Sequence, residues 1–143
     1  LFDLILIKQT IHFFKKNEIN ILLNLVKESL TAKGKIFIFS LKINQSELPA
    51  FNKMKKKLEI SLRQDKIISQ IIKKNLKKYK KSNFKFKVSI SKKNYIEMIK
   101  KRYISCLLDL SKKDIKNGVK EIQSEYKKNI KFNDVLDCLI YEN

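Results

Sequence analysis

The spacing of apolar residues changes several times along the chain, and each change predicts an element. Residues 3–7, Asp-Leu-Ile-Leu-Ile, form a short apolar run ended by polar residues, which predicts a buried parallel strand. Ile19, Leu22, Leu23, Leu25, Val26 and Leu30 fall on one helical face, so residues 17–30 read as a helix with Asn17 as its N-cap. Thr31-Ala32-Lys33-Gly34 closes that helix, with Gly34 free to take the left-handed conformation. Residues 35–41 then form a second buried strand. Strand, helix and strand at this spacing predict a βαβ unit with parallel strands and a right-handed crossover.

A polar loop over residues 42–48 leads to Pro49, which suits the first turn of a helix. Residues 50–81 read as helical with room for one break. Met54, Leu58, Leu62, Ile67, Ile68, Ile71, Ile72 and Leu76 supply its apolar stripes, and Lys53, Lys55–57, Lys73 and Lys74 its solvent side. Phe84, Phe86, Val88 and Ile90 alternate with Lys85, Lys87, Ser89 and Ser91, the period of a strand near a sheet edge with one buried face. Two helices follow. The first spans Asn94 to about Leu108 and turns Tyr95 and Tyr103 toward the core. The second spans Lys112 to about Lys127, opened by Ser111 and Asp114 as a capping box, with Gly118 marking close packing. Val135 to Tyr141 is the last strand. The order β-α-β-α-β-α-α-β predicts an α/β domain with a sheet of about four strands.

Composition sharpens this picture in three ways. The chain has 143 residues, enough for one domain with a real core, and only 1 Pro and 2 Gly, which argues against linkers and disorder. It begins at Leu1, almost inside a strand, and reads as a fragment. It has no signal-peptide pattern and no apolar run long enough for a membrane helix, so a soluble, cytoplasmic protein without membrane partners is expected. The net charge of +19 attracts polyanions in general, yet arginine occurs only as Arg63 and Arg102. Lysine, asparagine and isoleucine are abundant together, which drift toward A- and T-rich codons explains more simply than selection for phosphate binding. No specific nucleic-acid partner is therefore expected. One His and two distant Cys, Cys106 and Cys138, give no metal-ligand spacing; two reduced, buried thiols are expected.

The stretch Asp3-Leu4-Ile5-Leu6, the polar break with Ile11-His12-Phe13, and Leu30-Thr31-Ala32-Lys33-Gly34-Lys35-Ile36-Phe37-Ile38 resemble the second half of class I S-adenosylmethionine-dependent methyltransferases. In that family a strand written roughly Phe-Asp-Leu-Ile precedes a segment often containing His. A helix then ends in Leu-x-Pro-Gly-Gly, of which only the final glycine is kept here, as Gly34. Tyr95 to Cys106 is similar to a stretch in the methyltransferases of small carboxylic acids, the trans-aconitate type, which insert helices before the last strand. The resemblance implies a partial Rossmann-like fold, with the four strands taking family positions 4-5-7-6 and the last antiparallel. It implies a single partial domain over residues 1–143, with residues 92–128 as a helical insertion.

The same resemblance implies roles for particular residues. Ile7 and Lys8 would line the methionine end of S-adenosylmethionine, and Gln9 and His12 would face a small-molecule substrate, with His12 as the catalytic base. Packing against the helix start is the plainer role for His12. Apart from the resemblance, the bidentate guanidinium of Arg102, rare among so many lysines, suits a substrate carboxylate; a salt bridge to Glu97 or Asp109 is the alternative. The glycine-rich cofactor turn of the family has no counterpart here, so the chain alone is expected to be inactive, with residues 3–7 left as an edge open to self-association. Two other readings compete with a methyltransferase part: a basic nucleic-acid-binding module, and a non-catalytic interaction remnant.

Overall fold

The computed structural model describes residues Leu1–Asn143. Its elements are β1 (Phe2–Lys8), α1 (Lys16–Glu28), β2 (Leu30–Leu41), α2 (Asn52–Asn75), β3 (Tyr79–Ser91), α3 (Lys92–Lys100), α4 (Lys112–Glu125) and β4 (Asn129–Glu142). Single 3-10 turns lie at Ile11–Phe13 and Ser105–Leu107. The fold is α/β, and its four strands form one mixed sheet in the order β1-β2-β4-β3. β1 and β2 are parallel, joined through α1, and β4 runs antiparallel to β2. Both the strand order and the antiparallel last strand match the expectation from sequence.

The chain divides into two compact units. The first comprises Leu1–Lys42, Arg63–Phe84 and Val135–Asn143. Its core follows from strand geometry: Ile5 and Ile7 of β1 stand on the same sheet face as Ile36 and Ile38 of β2, since Ile5 pairs with Ile36 and Ile7 with Ile38. Ile19, Leu23 and Val26 of α1, with Ile72 and Leu76 from the end of α2, bury that face. The other face carries Leu4 and Leu6, each 57% exposed. Residues 3–7 are thus not fully buried. β1 has a single neighbour, and the helices of this unit cover one side only.

Other departures have equally local causes. α1 starts at Lys16 rather than at residue 17, because the Lys15 backbone N–H donates to the Glu18 carboxylate at 2.7 Å and so takes the cap position from Asn17. Leu25 is 56% exposed, on the helix side away from the sheet. Gly34 does not end the helix and has no positive φ; it sits inside β2. Its role is space, since a Cβ there would lie 2.9 Å from both the Phe2 carbonyl oxygen and Leu30 Cδ2. Pro49 precedes α2, which begins at Asn52 and runs unbroken to Asn75, while residues 79–81 already belong to β3. β3 is an edge strand as expected, but along the apolar side of its alternation Phe84 and Phe86 are exposed and only Val88 and Ile90 are half-buried.

The second unit comprises Ile43–Leu62 and Lys85–Asp134. Phe51, Met54, Tyr95, Ile99, Leu107 and Ile122 are among its fully buried side chains, and α3 packs on α4. The helix expected to reach Leu108 ends at Lys100, where the backbone turns. α4 opens as expected: the Ser111 hydroxyl accepts from the Asp114 N–H, and Asp114 accepts from the Ser111 N–H. Hydrogen bonds from Lys53 and Ser111 hold the Asp114 carboxyl down at about 2. Cys138, in the first unit, is buried; Cys106 is half-buried, and both are free thiols.

Gly118 bears the close packing its position suggested. A Cβ there would fall 2.5 Å from ring carbons of the buried Phe51. Gly118→Ala gains about 1 kcal/mol of helix propensity but forces an overpacked core, typically costing about 1–3 kcal/mol. Because the obstacle is a buried aromatic ring, the clash prevails, and urea unfolding should show a lowered midpoint. An unchanged or raised midpoint would mean the ring can step aside.

Candidate functional site

At the C-terminal end of β1 the chain must leave a parallel pair and reach α1 within a few residues. Gln9 makes the turn, with φ 52° and its N–H donating to Phe39 O at 2.9 Å. A left-handed non-glycine residue costs on the order of 1–2 kcal/mol, and such conformations gather at functional loops. The 3-10 turn that follows is closed by Phe13 N–H to Thr10 O and Phe14 N–H to Ile11 O. Ile11 anchors it in the core.

That anchoring presents His12. Its ring lies 4.3 Å from the Phe13 ring, centre to centre, and its Nε2 is enclosed without a hydrogen-bond partner. A buried, unsatisfied ring nitrogen is costly in a native fold and calls for an account. Asp65 of α2 is within electrostatic reach. Burial pushes the Asp65 carboxyl above its ordinary range, and the positive charge of His12 opposes that rise. The two groups thus influence each other through space, with no hydrogen bond from His12 Nε2 between them. Reading the sequence missed Asp65. The available signal was its isolation: from Arg63 to Phe84 it is the one acid among eight basic residues.

The other residues of this loop are placed differently. Ile7 turns its side chain into the core, away from any ligand there. Lys8 is exposed and pairs across the sheet with Phe39. Gln9 is half-buried. Ile7, Lys8, Gln9 and His12 thus form one local group, in the first unit.

Arg102 belongs to the second unit, where it ends α3. Tyr103 N–H donates to Met98 O at 3.1 Å and Arg102 N–H to Ile99 O at 2.9 Å, a Schellman motif. Arg102 occupies the left-handed position usually held by glycine, at φ 54°. Its guanidinium Nη1 donates to the carbonyls of Leu107 and Leu108, ending the second 3-10 turn. The salt bridge to Glu97 or Asp109 is not formed: Glu97 pairs with Lys100 at 2.8 Å, and Asp109 with Lys57 at 3.9 Å. Arg102 keeps Nε and Nη2 as further donors.

Also in the second unit, the buried Tyr95 hydroxyl donates to Pro49 O and lies 3.1 Å from the Tyr103 hydroxyl. Tyr103 is more open than expected, at 36% exposure. Burial raises both phenols, Tyr103 to about 12, and raises the Cys106 thiol to about 11. All three stay protonated near neutrality and offer neither a base nor a thiolate nucleophile. No group of three or more His, Cys, Asp or Glu side chains gathers in metal-binding proximity. Searches of protein families and of curated proteins return no match for this chain.

The His12–Asp65 pair has a direct test. Removing the imidazole removes the positive charge that opposes the rise at Asp65, so His12→Gln should move the Asp65 carboxyl titration to still higher pH. Carbon-detected NMR of the side-chain carboxyl follows this. A midpoint that stays put or falls would separate the two groups.

Proposed function

We propose that this chain is the C-terminal part of an S-adenosylmethionine-dependent methyltransferase that acts on a small molecule. The observation that carries the reading is the sheet. A parallel β1–β2 pair crosses over through α1, and an antiparallel β4 lies between β2 and β3. The loop after the first strand, where α/β folds place their ligands, holds Gln9 and His12. The strained Gln9 and the unsatisfied His12 Nε2 give further support.

Only part of a cofactor site fits these residues. Gly34 lies within β2 and Gly118 within α4, both against close neighbours, so neither can form a turn that cradles a nucleotide. S-adenosylmethionine, when bound, supplies the methyl group on its sulfonium. Ile7 and Lys8 would border the methionine end, although the Ile7 side chain is turned into the core, and Gln9 would face the substrate. His12 would be the base for a substrate nucleophile that carries a proton, once its enclosed Nε2 is uncovered; the Asp65 carboxylate would favour the imidazolium so formed. The ring against Phe13 and the anchored Ile11 limit the motion of the base, which methyl transfer needs for in-line alignment.

Calorimetry with S-adenosylhomocysteine tests the reading. The chain alone should give no measurable heat of binding. A version extended at its N-terminus by a strand ending in a glycine-rich turn, from a methyltransferase of this class, should bind. Tight binding by the chain alone, or none by the extended version once it is shown to be folded, would overturn the reading.

A second reading, association through β1, is favoured by one observation: an edge strand with Leu4 and Leu6 exposed invites a further strand. Sedimentation velocity should then show concentration-dependent association that Leu4→Lys with Leu6→Lys abolishes. A monomer at all concentrations would sink this reading.

A further inference from the structure

Within the first unit, the opening turns of α1 and the closing turns of α2 flank an open cleft of about 510 Å³, lined by Lys16, Asn20, Ile71, Lys74 and Asn75. Such a volume is in the range of small-molecule sites. Both lysines are exposed, and neither ammonium is neutralised: the lysines in ion pairs are Lys35, Lys42, Lys53, Lys57, Lys80 and Lys100. No carboxylate lines the cleft. Two unpaired ammonium groups on opposite helices favour an anion between them.

The two asparagines make the site more selective than a basic surface. Asn75 Nδ2 donates to Asn20 Oδ1 and to Ile71 O, both at 2.8 Å. These bonds consume both Asn75 amide protons and fix the orientation of each amide. Asn20 is thereby left with its Nδ2 protons to give, and Asn75 with its Oδ1 to receive. The cleft thus offers two cations, one amide donor, one amide acceptor and the apolar flank of Ile71. A bare anion would engage the cations and the donor but make no bond to the acceptor.

We propose that this cleft binds a phosphoryl group carried by a hydroxylated sugar. Lys16 and Lys74 hold the phosphate oxygens as point charges, Asn20 Nδ2 donates to one of them, and a neighbouring sugar hydroxyl donates to Asn75 Oδ1. The same chemistry occurs in a free sugar phosphate and in the backbone of RNA. The site is separate from the β1 loop, and the proposal does not depend on the methyl-transfer reading.

The test is an amide NMR titration at low ionic strength with ribose 5-phosphate, inorganic phosphate and a short oligoribonucleotide. Either sugar-bearing probe should produce saturable shifts confined to residues near 16–20 and 71–75, and should bind more tightly than inorganic phosphate. Tighter binding of the oligonucleotide or of the free sugar phosphate names the source. Lys16→Ala with Lys74→Ala should weaken binding at least about tenfold, while Lys55→Ala with Lys56→Ala, an equal change of charge elsewhere, should not. Asn75→Leu should remove the preference over inorganic phosphate. Equal losses from both lysine pairs, shifts spread over the lysine surface, or no saturation would overturn the proposal.

Discussion

The parallel pairing of β1 with β2 is the constraint on which the first unit depends. Parallel neighbours need a crossover, and the crossover here is α1, whose Ile19, Leu23 and Val26 meet Ile7, Ile36 and Ile38 on one sheet face. The register brings Phe2 beside Leu30, and Gly34 lets the two strands close, since its missing side chain leaves room for the Phe2 carbonyl. Asp3 fastens the start of the pair by accepting from the Thr31 hydroxyl at 2.8 Å. At the other end, Gln9 N–H bonds Phe39 O, and the chain turns away with His12 on the turn. The position of His12 follows from this pairing: shifting the register by one residue would exchange the buried and open faces of β1.

Two left-handed non-glycine residues, Gln9 and Arg102, occur at element ends, and each is tied down by named hydrogen bonds. Their surroundings differ. Arg102 is explained by its own contacts, because its guanidinium caps two carbonyls and its backbone completes a Schellman motif. Gln9 is not explained in that way, nor is the enclosed His12 Nε2, so the β1 loop is where strain and an unmet polar atom coincide. The surplus of lysine is a different matter. Most lysines are exposed, and those lining the α1–α2 cleft stand out through the hydrogen-bonded asparagine pair beside them.

Much of this architecture was legible in the apolar pattern. The βαβ unit, the long second helix, the Ser111–Asp114 cap, the tight packing at Gly118 and the final strand follow from spacing, because each depends on residues close in sequence. Element ends were less legible. Lys15 with Glu18 outcompeted Asn17 for the cap, and Gly34 served packing rather than a turn, for reasons that lie in bonds and neighbours. Within the candidate site, Gln9 and His12 could be picked out from the polar break after an apolar strand. Asp65 stood out only as a lone acid in a basic stretch; its relation to His12, 53 positions away, arises through folding alone.

By itself the sequence determined the order of elements, their periodicities, the basic balance and the scarcity of groups fit for metal or nucleophilic chemistry. Those are properties of composition and of short-range spacing. Tertiary structure decided which side of each strand is covered. Leu4 and Leu6 belong to the same apolar run as Ile5 and Ile7, yet they are open because α1 and the end of α2 cover the face of Ile5 and Ile7. It also decided the partners of the charged and polar groups, setting Arg102 on carbonyls and Asn75 on Asn20. Such pairings require groups distant in sequence to meet, and spacing along a chain carries no record of that.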